Sequence, residues 1–243
     1  MKKIGIKGLL LVALFLGVWF GFSQINWMKA FRVEQVGSKV SKELGDLYWK
    51  YFKGQDEEVC DSTVVQHVDS LLNRICTANG IDTATIKLHI LSDSAINAFS
   101  LPDGHLVIYT GLLNVTRSDA QLCGVLCHEI AHLEKGHAMK KLIKEIGLAS
   151  LLSNATGGNG DFMIKSIRTL TSTAYDRNLE RKADAQAVQY MTKAGIDPDG
   201  LAQLLEQLDQ LQASGIQIPT WISTHPDNAE RIGAIRTLAK KRT

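Results

Sequence analysis

His128 and His132 stand four residues apart in the run His128-Glu129-Ile130-Ala131-His132. On a helix that spacing sends both imidazoles from one face, a turn apart, where they can grip one metal ion. Glu129 is rotated about a quarter of the way around the helix. Its carboxylate then lies beside a water in the metal's open position and can take a proton while zinc lowers the water's pKa. The chemistry this points to is zinc-assisted hydrolysis. The alternative is a helix with two chance histidines.

A catalytic zinc takes three protein ligands and keeps a fourth position open, so one ligand must come from elsewhere. His137 is nearest in sequence, but the extended histidine pattern needs Gly and His three and six residues past the second histidine. Gly136 and His137 come four and five past it. The stretch Asn178-Leu179-Glu180-Arg181-Lys182-Ala183-Asp184 supplies Glu180 as the third ligand, with Asp184 one turn further on the same helix face. Asp184 can accept the free ring N–H of a zinc-bound histidine and fix its tautomer. The competing reading of this pair is a solvated face on which Arg181 and Lys182 make helical ion pairs.

These groups need helices and strands to hold them. Apolar spacing predicts helices over 33–53 and 57–79. Ile86, Leu88 and Ile90 alternate with polar residues, as does the run from His105 to Thr110 after Pro102-Asp103-Gly104, which predicts strands joined through a turn. Ser118 with Gln121 forms a capping box, and Leu122, Val125, Leu126 and Ile130 form the apolar stripe of a helix over 119–135 that carries the histidines. Gly157-Gly158-Asn159-Gly160 predicts a mobile break before a helix over 161–194, which Gly195 closes. Asp197-Pro198 opens a helix to about 213 and Pro226 the last one, to about 240. The expected fold is α+β, mainly helical, with a small antiparallel sheet.

The N-terminus reads differently. Lys2, Lys3 and Lys7 precede an uncharged stretch from Gly8 to Phe22, which predicts a signal-anchor or signal peptide over residues 1–28 and a catalytic domain over 29–243. Ile25 and Trp27 could lengthen a retained span, and Gly21-Phe22-Ser23 offers small residues to a signal peptidase. Basic residues ahead of the apolar run favour an extracytoplasmic catalytic domain, membrane-anchored or exported; Lys29 and Arg32 oppose that orientation. With 27 Lys and Arg against 25 Asp and Glu, the chain lacks the excess of basic residues that nucleic-acid binding uses. Its four cysteines have no C-x-x-C spacing, and Cys123 and Cys127, one turn apart, suit packing.

The run from His128 to His137, the later Glu180-x-x-x-Asp184, the segment Asn97 to Gly104 and Ser223-Thr224-His225-Pro226 together resemble the M48 metallopeptidases, over roughly residues 85–235. That family includes multi-span CAAX prenyl proteases, HtpX-type heat-shock proteases and compact members that degrade misassembled envelope or mitochondrial inner-membrane proteins. Beyond the leader this chain has no long apolar run, so it resembles the compact group. The resemblance implies one zinc per chain and endoproteolysis of polypeptides, here misfolded or unassembled membrane or envelope proteins. It also implies that His225 stabilises an oxyanion or caps the metal, and that Arg231 steers substrate or pairs with Asp184. Asn97, Ala98 and Phe99 would form an edge strand that adds a substrate peptide, or else a simple buried strand. The rival function is a zinc-containing, chaperone-like scaffold with little proteolysis. A membrane-anchored adaptor would hold no zinc.

Overall fold

The computed structural model describes residues 33–154, 160–215, 220–226 and 228–241, with side chains described from Ser38 onward. The chain falls into two units, Met1–Val40 and Ser41–Thr243. Of the first, only the opening turns of helix α1 (Val33–Gln55) are described; the core and the candidate site lie in the second. The leader expected over 1–28, and all of the glycine run except Gly160, lie outside the described residues. Among the described residues no helix is long and apolar enough to cross a membrane.

Three strands, β1 (Lys87–Leu91), β2 (Ala98–Ser100) and β3 (His105–Tyr109), form one sheet in the order β1-β3-β2. The sheet is mixed rather than wholly antiparallel: β2 runs antiparallel to β3, and β1 runs parallel to it. The reason is that the Pro102-Asp103-Gly104 turn joins β2, not β1, to β3, so β3 returns in the direction of β1. Asp103 and Gly104 take φ of 62° and 79° to close that turn. A Cβ on Gly104 would lie 2.0 Å from the Thr85 carbonyl oxygen, so only glycine fits.

Helix α2 (Ser62–Asn79) starts later than the apolar spacing predicts, because Glu58 forms a β-bridge with Leu91 and the Asp61 carboxylate caps the helix, accepting from Thr63 N at 2.8 Å. After the short α3 (Thr110–Val115), α4 (Asp119–Glu134) opens on the predicted box. Ser118 Oγ accepts from Gln121 N at 3.3 Å, and Gln121 Oε1 accepts from Arg117 N at 2.7 Å. Then come α5 (His137–Ile146), α6 (Leu148–Asn154), α7 (Gly160–Ser172) and α8 (Arg177–Lys193). The single helix expected over 161–194 is thus two. Thr171 and Thr173 turn their hydroxyls back onto the α7 carbonyls, and Asp176 opens α8 by accepting from Asn178 N at 2.8 Å. The chain ends in α9 (Asp199–Ala213), α10 (Thr220–Thr224) and α11 (Asn228–Lys240), the last beginning two residues beyond Pro226.

At the centre lies α4, buried continuously from Gln121 to His132 and packed against α8, α9, α2 and the sheet. Its crossing with α9 is close enough that a Cβ on Gly124 would sit 2.8 Å from Leu201 Cβ. Cys76, Cys123 and Cys127 are buried free thiols of this core, and Cys60 is an exposed one.

Candidate metal centre

Because α4 holds His128 and His132 one turn apart, their Nε2 atoms lie 3.0 Å from each other. Along α4 runs α8, which brings the Glu180 carboxylate to 3.3 Å from His132 Nε2 and 3.5 Å from His128 Nε2. His225, just past α10, adds its Nδ1 at 3.0 and 3.1 Å from the Glu180 oxygens and 3.2 Å from His128 Nε2. All four side chains are at most 2% exposed, and their donor atoms lie within 4.8 Å of one another. Four tetrahedral ligands bonded at zinc distances stand about 3.4 Å apart. The observed spacings and the imidazole–carboxylate donor set therefore fit zinc.

Behind His128, Asp184 accepts from its Nδ1 at 2.9 Å. Arg231 clamps the same carboxylate through Nε and Nη2, each at 2.8 Å, and donates from Nη1 to the His225 carbonyl at 2.8 Å. Burial would raise the Asp184 pKa, but the charge and hydrogen bonds of Arg231 hold it well below the usual carboxylate range. Burial likewise disfavours a charged His128, yet Asp184 and Glu180 outweigh it and lift the group to about 9. At His132 burial wins, pushing it down to about 4 against the pull of Glu180. Glu129 faces the cluster from α4; its Oε1 accepts from Trp221 Nε1 at 3.1 Å and lies 3.5 Å from His225 Nε2.

Arg231, 3% exposed, pairs with Asp184 rather than standing on the surface. Ala98 and Phe99 do belong to β2, a terminal strand of the sheet, and Asn97 immediately precedes it, but the three are only 0, 4 and 3% exposed. Part of their cover is α10, whose Trp221 N donates to the Ile96 carbonyl at 3.0 Å.

Sequence reasoning missed three residues. His137, set aside as a ligand, places Nδ1 3.1 Å from His132 Nδ1, so it stands behind His132 much as Asp184 stands behind His128. The left-handed Gly136 swings it there, a rotation that residue spacing does not show. Tyr175 stacks on His225 with ring centroids 5.3 Å apart, tilts against His132 at 4.5 Å and carries the Lys141 ammonium 3.9 Å from its own centroid. Trp221 lies four residues before His225, and that interval is its one trace in the sequence.

A model of peptidase family M48 matches residues 65–239. The chain belongs to peptidase family M48. The M48 match spans every residue of the cluster. Among similar curated proteins, the mitochondrial metalloendopeptidase OMA1 of Schizosaccharomyces pombe is 27% identical over 175 residues, 70% of this chain and 51% of that protein. The beta-barrel assembly-enhancing protease of Escherichia coli K12 is 25% identical over 214 residues, 82% of this chain and 44% of that one. Bovine OMA1 is 30% identical over 167 residues, 63% of this chain and 32% of that one. This M48 chain thus spans about half, or less, of the length of these relatives.

Proposed function

We propose that this chain is a zinc-dependent metalloendopeptidase, with one zinc held by His128, His132 and Glu180. The observation that carries the reading is the convergence of these three donors from α4 and α8, with the Glu129 carboxylate fixed beside them by Trp221. When bound, zinc supplies a Lewis acid and a water of lowered pKa. Glu129 takes the proton of the attacking water and delivers it to the leaving amine. Asp184 holds His128 in the tautomer that directs Nε2 into the cluster, and Arg231 keeps Asp184 ionised. His225 supports the oxyanion that develops on the scissile carbonyl.

A second reading of His225 rests on its resting geometry. Its Nδ1 lies among the donors, 3.2 Å or less from Glu180 and His128, where it can serve as a fourth ligand and hold the enzyme latent.

The expected substrates are misfolded or unassembled membrane or envelope proteins, a class supported by the names of the relatives, a metalloendopeptidase and a beta-barrel assembly-enhancing protease. An extended peptide would add along Asn97 and the adjoining β2 residues Ala98 and Phe99 once the side chains packed over them move. Residues 1–28 would act as a signal-anchor or signal peptide and place residues 29–243 outside the cytoplasm. Replacing Glu180 with Gln tests the ligand set directly: the variant should lose stoichiometric zinc on dialysis, and one that keeps it removes Glu180 from the assignment. The chaperone-like scaffold differs in predicting bound zinc without turnover of unfolded protein.

A further inference from the structure

Ile143, Leu148, Leu152 and Ile164 are 40, 45, 41 and 57% exposed, the large hydrophobic side chains that stand furthest into solvent among the described residues. All four lie on α5, α6 and α7, and α5 packs against both of the others. One exposed leucine is ordinary; four gathered on three helices in contact mark a docking surface. Other faces of these helices are already used, since Leu142, Leu151, Phe162, Ile167 and Leu170 are buried.

The charges around the patch indicate what covers it. On α5 the exposed Lys140 and Lys144 flank Ile143, and on α7 the exposed Lys165 and Arg168 stand beside and one turn beyond Ile164. Glu145 and Asp161 are the acids of these helices, and Asp176 at the start of α8 stands 3.6 Å from Lys144 Nζ, in a chain whose overall balance is only +2. Amphipathic helices that combine branched apolar residues with a fringe of Lys and Arg lie flat in the boundary between lipid headgroups and acyl chains. A symmetric contact with a second copy would bring the cations of both copies into one interface. We propose that α5, α6 and α7 form a lipid-docking surface that seats Ile143, Leu148, Leu152 and Ile164 in an anionic bilayer, with Lys140, Lys144, Lys165 and Arg168 on its phosphates.

The surface is linked to the candidate metal centre. Lys141, on α5, donates to the Thr173 carbonyl at 2.5 Å and covers the Tyr175 ring that stacks on His225. Docking would hold these covering elements at the membrane, where unassembled membrane proteins are met.

The test uses the full chain with Cys60→Ser, which removes the one exposed thiol. Leu152→Cys, or Ala78→Cys on α2 as control, then carries an environment-sensitive fluorophore, and the protein is reconstituted in vesicles with brominated acyl chains. We expect a blue shift and strong quenching at residue 152 in vesicles containing phosphatidylglycerol, and neither at residue 78. Replacing Lys165 and Arg168 with Gln should weaken docking by about fivefold per cation, the equivalent of about 1 kcal/mol each. A label at 152 that stays in water overturns the proposal, as does equal quenching in purely zwitterionic vesicles. A blue shift without vesicles that grows with protein concentration overturns it in favour of a second copy.

Discussion

His128 enters the cluster with its proton position already decided. Its Nδ1–H is given to Asp184, which Arg231 grips through two hydrogen bonds of 2.8 Å, so Nε2 is the nitrogen on which a bound zinc would replace a proton. Carboxylate partners of this kind set metal affinity by about 10–100-fold. Asp184→Asn should therefore weaken zinc binding by that factor in a chelator competition, whereas Ala substitution at the exposed Glu230 should leave it unchanged. A loss below twofold in Asp184→Asn would remove the relay from the account. The sequence showed the two i,i+4 pairs, His128 with His132 and Glu180 with Asp184, because both members of each pair sit on one helix. His225 was accessible only through resemblance. His137, Trp221 and Tyr175 were not accessible, since their closeness arises from a left-handed glycine and from tertiary packing.

At the scale of elements, the site depends on how closely α4 and α9 cross. A methyl on Gly124 would meet Leu201 Cβ at 2.8 Å and its Cα at 2.9 Å, and backbone cannot rotate away as a side chain can. Gly124→Ala gains about 0.5–1 kcal/mol in helix propensity. Overpacking costs about 1–3 kcal/mol. The clash should prevail, lowering Tm by several degrees and weakening zinc binding because α4 carries both histidines. An unchanged Tm would mean that α9 gives way freely.

A second element-level dependence lies under β1 and β3. His105 Nδ1 meets His89 Nε2 at 2.9 Å, and Trp49 stacks on His89 at 3.5 Å. Lys87 stands 3.4 Å from His105 Nε2, and Glu58 stands 3.3 Å from His89 Nδ1. Burial, together with Lys87 and His89, pushes His105 down to about 4. The folded state therefore binds fewer protons there than the unfolded state, whose histidine titrates near about 6.5. Stability is complete above that value and falls as the pH drops toward 4, by about 2 kcal/mol between pH 7.5 and 5. Thermal melts should show this loss in the wild type and less of it in His105→Gln; identical slopes would contradict it. The capping box and the glycine stops made element ends readable in the sequence. The parallel pairing of β1 with β3 and the break between α7 and α8 were not, because the first depends on which strand takes the hairpin and the second on hydroxyls that compete with the helix ladder.

Across the whole molecule the dominant fact is closure. The four donors are at most 2% exposed, and the strand expected to receive substrate is covered. Access of a peptide to these donors therefore requires side chains packed against them, among them Tyr175 and Trp221, to move. If His225 caps the donors at rest, His225→Ala should raise casein turnover several-fold. A fall of several hundredfold would show instead that oxyanion support outweighs capping.

The central claim is that Glu129 is the base of a zinc peptidase. Its most direct test is cleavage of unfolded casein by the full chain, wild type beside Glu129→Gln, with zinc measured on the same samples. The account predicts wild-type cleavage that falls by about 10³-fold or more in the variant while zinc stays at one per chain. Cleavage that persists in a zinc-bound Glu129→Gln variant would contradict it.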